Sequence, residues 1–296
     1  MIDEGVVIHV PATSANVGVG FDCLGIALDL EATFTLVPAN ELLIDGCEQR
    51  FRGEDNLVWQ SYLTACRELG FEACPLHITI DSPIPLSGGL GSSSTCVIAG
   101  VAGAQALHGC FDAKACLEIS TRIEGHPDNV APAIMGGLAS SFVDGEKTTS
   151  IRFDVADNLR FIVIAPPYEV RTADARRVLP SEVSRQTAVW QMGRCVAVAR
   201  ALESGDAELL AAANQDLLHE PYRAKLIADY EPLKAVALEA GACAFMISGS
   251  GSTMLAVADG EKRADDVVSA LQAARPTFWL RNLPCSTRGT TVSPLA

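Results

Sequence analysis

Ten consecutive residues, Pro85-Leu86-Ser87-Gly88-Gly89-Leu90-Gly91-Ser92-Ser93-Ser94, carry the most informative chemistry in the chain. Glycines at 88, 89 and 91 permit positive φ and let backbone N–H groups face inward. A helix that follows such a loop presents unpaired N–H donors and the positive end of its dipole. The three serines add hydroxyl donors and an oxygen able to ligate a metal. The loop therefore suits a di- or triphosphate, although its composition alone fits a flexible Gly/Ser turn as well. Neither the Gly-x-x-x-x-Gly-Lys-Ser/Thr nor the Gly-x-Gly-x-x-Gly pattern occurs, so the two commonest nucleotide-binding signatures are absent.

A second cluster, Glu124-Gly125-His126-Pro127-Asp128-Asn129, packs two carboxylates, an imidazole and an amide into six residues at an expected helix start. Asp128 can serve there simply as first-turn charge for the helix dipole. Beside a phosphate cradle, however, a carboxylate is what magnesium needs, because that ion takes one or two carboxylates and shares phosphate oxygens. Glu124 is the better candidate and Asp128 the next. Two further passages, residues 11–22 and Ser248-Gly249-Ser250-Gly251-Ser252-Thr253, concentrate glycines and small polar residues, and each can also be read as a tight turn.

The elements that must position these residues follow from periodicity and breakers. Residues 6–10, 32–37 and 76–81 read as strands, and 56–69 as a helix with Leu57, Tyr62, Leu63, Cys66 and Leu69 on one side. The segment from Ser92 to Leu107 reads as a buried helix entered through the glycine-rich loop. Helices are expected at 113–123, stopped by Gly125, and at 127–135, with Pro in its first turn and Gly136-Gly137 as its stop. Strands are expected at 138–143, 150–155 and 159–165. Residues 171–239 are almost wholly helical in pattern, and strands return at 243–247, 254–258 and 277–283 around a helix at 262–274.

Composition bounds the partners. At 296 residues the chain has room for two domains or one large one, and the change of style near Asp157 divides it into 1–156 and 157–296. Acidic residues outnumber basic ones 36 to 22, for a net charge of -14. That sign is wrong for a general binder of nucleic acid. The ten cysteines form no Cys-x-x-Cys pair and sit mostly among Ala, Leu and Val, which reads as reduced, buried thiols without structural zinc. No secretory signal opens the sequence, and the longest apolar run, 96–107, is short of the roughly 20 residues needed to cross a bilayer. A soluble cytoplasmic protein without a membrane partner is expected.

Residues 10–28, 83–94, 124–137 and 247–254 resemble, in order, the signatures of the homoserine kinase family. That family lies within the superfamily named for galactokinase, homoserine kinase, mevalonate kinase and phosphomevalonate kinase. Residues 175–180 and Glu220-Pro221-Tyr222-Arg223 add two shorter agreements. The phosphate loop is specific only to the superfamily. More discriminating is Pro11-Ala12-Thr13-Ser14-Ala15-Asn16, where sugar and mevalonate kinases usually carry a Pro-Gly-Lys style sequence.

The resemblance implies an α/β (α+β), two-domain fold. Its N-terminal domain would be ribosomal-protein-S5-like with a left-handed βαβ crossover, and its C-terminal domain ferredoxin-like. It also implies a homodimer that transfers the γ-phosphoryl group of ATP, with Mg2+, to the side-chain hydroxyl of L-homoserine. Residues 85–94 would then hold ATP, and Ser93 and Glu124 the metal. A zwitterionic substrate needs a carboxylate fork, which Arg176 and Arg223 supply with a geometry that Lys cannot match. Asp22 and Asn16 supply acceptors for its ammonium, His126 is their neighbour, and Asn129 would orient the attacking hydroxyl. The Lys and catalytic Asp pair of the mevalonate kinase branch has no counterpart at the N-terminal signature. Positioning and charge neutralisation without a dedicated base are therefore favoured, with Asp128 as the rival base. A kinase for another hydroxylated substrate and a non-catalytic ligand sensor are the alternatives.

Overall fold

The computed structural model describes residues 4–86 and 88–295. Strand β1 (Val6–Ala15) pairs antiparallel with the long β2 (Leu24–Pro38), and a short β3 (Leu43–Asp45) precedes helix α1 (Leu57–Leu69) and strand β4 (Leu76–Asp81). Helices α2 (Ser92–Leu107), α3 (Ala113–Glu124) and α4 (Val130–Met135) follow, then the β5 (Leu138–Asp144) and β6 (Lys147–Phe153) hairpin. After β7 (Leu159–Ala165) come α5 (Thr172–Arg177), α6 (Arg185–Ser204), α7 (Ala207–Ala213), the single-turn α8 (Glu220–Arg223) and α9 (Tyr230–Glu239). Strands β8 (Ala244–Ile247) and β9 (Met254–Asp259), helix α10 (Glu261–Ala274), β10 (Trp279–Leu283) and β11 (Thr291–Pro294) complete the chain.

The strands form two sheets. In the first, the order is β11-β1-β2-β4-β3, with β5 pairing the start of β2 and β6 pairing β5. The second runs β10-β7-β9-β8 and is antiparallel throughout, so its four strands in chain order lie 4-1-3-2, the ferredoxin-like arrangement expected. The last strand leaves the second sheet: β11 pairs with β1, and Ser286 and Ala27 exchange backbone contact through Ser286 N–H. No sequence signal marked β11 or β3. Both are short, three or four residues, and depend on a neighbour that the local pattern does not reveal.

Local chemistry accounts for the helix ends. Asn56 Oδ1 accepts the N–H groups of Val58 and Trp59 at the start of α1, and Gly70 stops it in the left-handed region at φ 70°. Asp112 caps α3 in the same way. Helix α2 is apolar all round and correspondingly buried, with Val97, Ile98, Val101 and Leu107 shut off from solvent. Each such side chain contributes about 1.5–3 kcal/mol of transfer free energy. Gly100, which interrupts the apolar run, lets α1 approach: a Cβ there would sit 2.3 Å from the Val58 carbonyl oxygen.

Two expectations are corrected. Regular helix begins at Val130 rather than at 127, so residues 125–129 form a loop that turns Asp128 inward instead of leaving it as first-turn charge. All ten cysteines are free, as expected, but only Cys66 and Cys116 are buried and Cys110 is exposed. Cys110 lies in the turn after α2, among His108, Gly109 and Asp112, and stays at the surface. Among the described residues no helix is long and apolar enough to cross a membrane.

Candidate active site

The glycine-rich loop delivers the chain into α2 as a frame with an open end. Gly91 is the residue before the helix, at φ 69°, and among the described residues no side chain caps the first-turn N–H groups. A Cβ on Gly91 would lie 2.1 Å from Thr13 Oγ1, and one on Gly89 2.2 Å from the Ser248 carbonyl oxygen, so both positions are closed to larger residues. Thr13 N–H donates to Leu90 O at 3.1 Å and Thr253 N–H to Gly88 O at 2.9 Å, which fixes the loop from both sides. Ser94 Oγ is buried with no hydrogen-bond partner. A buried orphan hydroxyl beside free helix N–H groups is what a phosphate oxygen would satisfy.

The carboxylate cluster sits against this cradle. Ser93 Oγ donates to Glu124 Oε1 at 2.6 Å, bringing together two hard oxygen ligands at the mouth of the phosphate loop. The donor set fits magnesium, which takes few protein ligands and completes its shell with phosphate oxygens and water. Among the described residues no cluster of three or more His, Cys, Asp or Glu side chains forms a fully protein-built metal cage. Asp128, 2% exposed, is paired with His126 Nδ1 at 2.5 Å. That bond raises the His126 pKa above its ordinary value against the opposing effect of burial. Thr13 Oγ1 donates to Asn129 Oδ1 at 2.8 Å, which leaves the Asn129 amide N–H groups as its free donors.

At the far end, the loop between β1 and β2 holds three non-glycine residues at positive φ: Asn16 at 69°, Val17 at 42° and Asp22 at 56°. For β-branched Val17 this region is costly, so surrounding contacts must hold it. They come from the second half of the chain. His219 Nε2 donates to Gly18 O at 2.7 Å and Gln191 Nε2 to Val19 O at 2.7 Å. Asn16 Oδ1 accepts the Asp22 N–H, and its Nδ2 donates to Gly249 O at 2.8 Å. Arg176 forks onto Asp22 with bonds of 3.0 and 3.1 Å, and this pairing raises its pKa while burial opposes the shift. Arg223 is 2% exposed, donates to Ala175 O and Gly249 O and lies over the Phe21 ring. Burial lowers its pKa.

One cavity of about 790 Å³ joins these parts. Asn16, Asp22, Leu86, Gly89, Gly91, Ser92, Ser93, Ser94, Glu124, His126, Asp128, Asn129, Arg176 and Arg223 all line it. Three residues expected in the nucleotide site are not on its wall. Pro85 and Gly88 do not reach the cavity, and Leu90 points its side chain into the core, fully buried. Leu90 and Gly88 act through their carbonyls instead, as the bonds to Thr13 and Thr253 show. Ser87 lies outside the described residues.

Residues 56–137 match the family described as GHMP kinases N terminal domain, and residues 198–276 the GHMP kinases C terminal family. A homoserine kinase of Clostridium botulinum is 34% identical over 290 residues, 97% of this chain and 98% of that protein. The chain belongs to the homoserine kinase family. The homoserine kinase of Thermus thermophilus is 41% identical over 271 residues, 90% of this chain and 91% of that protein. The crystal structure of homoserine kinase from Cytophaga hutchinsonii has a TM-score of 0.89 at 29% identity, covering 99% of this chain and 98% of that one. The fold is thus the two-domain α/β GHMP kinase fold.

Several wall residues of this family member escaped the sequence reading. Cys47, Phe51, Leu57, Ile80 and Ile84 line an apolar end of the cavity next to the phosphate loop, but they come from separate segments and share no local signal. Thr172 and Ser250 line the other end, their hydroxyls 3.3 Å apart. Ser248 Oγ donates to Gly89 O at 2.6 Å and lies 2.8 Å from Ser14 Oγ, from which it can accept, so the 248–253 passage braces the phosphate loop. Its density of Gly and Ser was visible in sequence. What it braces was not.

Proposed function

We propose that the chain is an ATP-dependent kinase for the side-chain hydroxyl of L-homoserine, with the nucleotide and the amino acid at opposite ends of this one cavity. The observation that carries this reading is the juxtaposition of an open α2 N-terminus and two arginines, Arg176 and Arg223, on one continuous wall. The first suits phosphate, the second an α-carboxylate. The apolar patch of Phe51, Leu57, Ile80 and Ile84 suits a base ring.

In this reading Ser94 and the first-turn N–H groups of α2 take phosphate oxygens. Ser93 and Glu124 hold magnesium, which would neutralise the charge of the transferring phosphate. Asp22 and Asn16 flank the substrate ammonium. Arg176 spends two N–H donors on Asp22 and keeps three of the five a guanidinium carries for a carboxylate. His126, held by Asp128, adds a further polar wall, and the free Asn129 amide orients the attacking hydroxyl. Because a loose phosphoryl-transfer transition state needs little help to remove the hydroxyl proton, positioning suffices and a dedicated base is not required. Asp128→Asn tests the rival role: turnover kept near the parent value leaves positioning sufficient, whereas loss of most of kcat with both KM values unchanged makes Asp128 the base. The reading extends to a cytoplasmic homodimer, which sedimentation of the purified protein and fractionation of its host would test.

The test is a coupled ADP-release assay over L-homoserine, L-serine, L-threonine and two hydroxylated compounds without a carboxylate, L-homoserinol and galactose. We expect L-homoserine to give the highest kcat/KM. Preferential turnover of a substrate lacking an α-carboxylate would refute the assignment of the two arginines.

A further inference from the structure

Glu220 is a buried carboxyl group, 7% exposed, whose hydrogen-bond partners Asp216, Tyr230 and Ile247 all lie in the second half of the chain. Burying it is expensive unless its oxygens are satisfied. Oε1 accepts the Ile247 N–H at 2.7 Å and Oε2 accepts the Tyr230 hydroxyl at 3.1 Å. Neither bond touches the cavity, and nothing in the chemistry above uses this residue.

What Ile247 leads into gives the bond its meaning. Ile247 ends β8, and the next two residues are Ser248 and Gly249. The Gly249 carbonyl is the shared acceptor of Asn16 Nδ2, at 2.8 Å, and Arg223 Nη1, at 2.9 Å. Arg223 itself lies on α8, the same single turn that begins at Glu220. The short helix thus grips this stretch twice, by a carboxylate at the end of β8 and by a guanidinium at the Gly249 carbonyl just inside the loop. Asp216 sets the entry to that turn by accepting the N–H groups of Leu218, His219 and Glu220.

We infer that Glu220 is a positioning residue for the amino-acid half of the site: by holding the Ile247 N–H it aims the Gly249 carbonyl that orients both Asn16 and Arg223. This rests on the assignment of Asn16 and Arg223 to the amino acid. The phosphate loop also leans on the 248–253 passage, through Ser248 and Thr253, but it has a tie of its own from Leu90 O to the Thr13 N–H of β1, so the larger effect should fall on the amino-acid half. The signature of Glu220 is therefore a split between the two substrates.

The experiment compares Glu220→Leu, Glu220→Asp and Glu220→Gln in the full chain, with thermal melts and KM for L-homoserine and ATP. Losing the buried acceptor in Glu220→Leu should raise the L-homoserine KM by about tenfold or more, with the ATP KM changed less than about threefold. Gln keeps an oxygen for Ile247 and an N–H pair for the Tyr230 hydroxyl, so Glu220→Gln should restore the L-homoserine KM to near the parent value. If Glu220→Leu does not fold, Glu220→Asp carries the test, its shorter arm raising the L-homoserine KM several-fold. A lower melting temperature with an unchanged L-homoserine KM in the folded variant would overturn the inference and leave Glu220 a structural residue. Arg223→Leu run alongside separates the failures: if it too leaves the L-homoserine KM unchanged, the amino-acid site itself is misassigned.

Discussion

Replacing Arg176 with Met tests the amino-acid site more cleanly than any change at Arg223. Arg223 donates to two backbone carbonyls and is buried, so removing it strands those acceptors and costs stability as well as binding. Among the described residues Arg176 hydrogen-bonds to Asp22 alone, and the two side chains are 41% and 36% exposed. A pair that open to solvent contributes at most about 1 kcal/mol to folding. For a chain of this size that is a melting shift of roughly 2 °C or less. In the complex the same guanidinium would face a substrate carboxylate away from water, where losing a charge-assisted bond costs about 2–3 kcal/mol, or about 30- to 150-fold. Met keeps the length and the apolar contacts, so the loss should fall on charge alone. The assay is ADP release at saturating ATP with L-homoserine titrated, beside a thermal melt. We expect the L-homoserine KM to rise within that range, the ATP KM to hold, and the melt to move little, as for loss of uniform binding energy. An L-homoserine KM within threefold of the parent would refute the fork.

Glu124→Gln should lower turnover by orders of magnitude while barely moving the melt, and raising magnesium should recover part of the rate; undiminished turnover would show that the ion is held elsewhere, with Asp128 next in line. Gly91→Val should lose ATP binding and also melt earlier, since its φ of 69° and the 2.1 Å approach of Thr13 Oγ1 leave no room for a branched side chain; normal ATP affinity would remove the loop from the site. The His126 pKa is raised above 6.5 by Asp128, so this contribution to stability is complete below that pH and disappears as pH climbs through the higher folded-state value. Denaturant melts of the parent and His126→Gln should therefore differ more at about pH 6 than at about pH 9, and a gap that widens with pH would reverse the assigned sign.

Much of the site was legible because its chemistry is local. The run of residues 85–94 announces a cradle by its glycines and serines, and the 124–129 cluster announces carboxylates beside it, since loop conformation and donor type depend mainly on neighbours in the chain. The long elements were legible too: α1 over 56–69 and α2 as an apolar, buried helix follow from the spacing and run of their apolar residues. The family signature completed the assignment of Arg176 and Arg223, which spacing alone would have left as two basic residues among helices.

Tertiary structure decided the rest, because it depends on contacts between residues far apart in sequence. Leu90 was read as part of the nucleotide site, yet its side chain fills the core and only its carbonyl serves the loop, a choice set by the packing of β1 against that turn. The apolar wall of Phe51, Leu57, Ile80 and Ile84 exists only after α1 and β4 are brought beside α2. The strained turn at Asn16, Val17 and Asp22 is held by His219 and Gln191, some 170 to 200 residues later. No local pattern can encode such a partnership: a positive φ at Val17 is unfavourable in the isolated segment and becomes populated only when hydrogen bonds from the other half of the chain offset its cost.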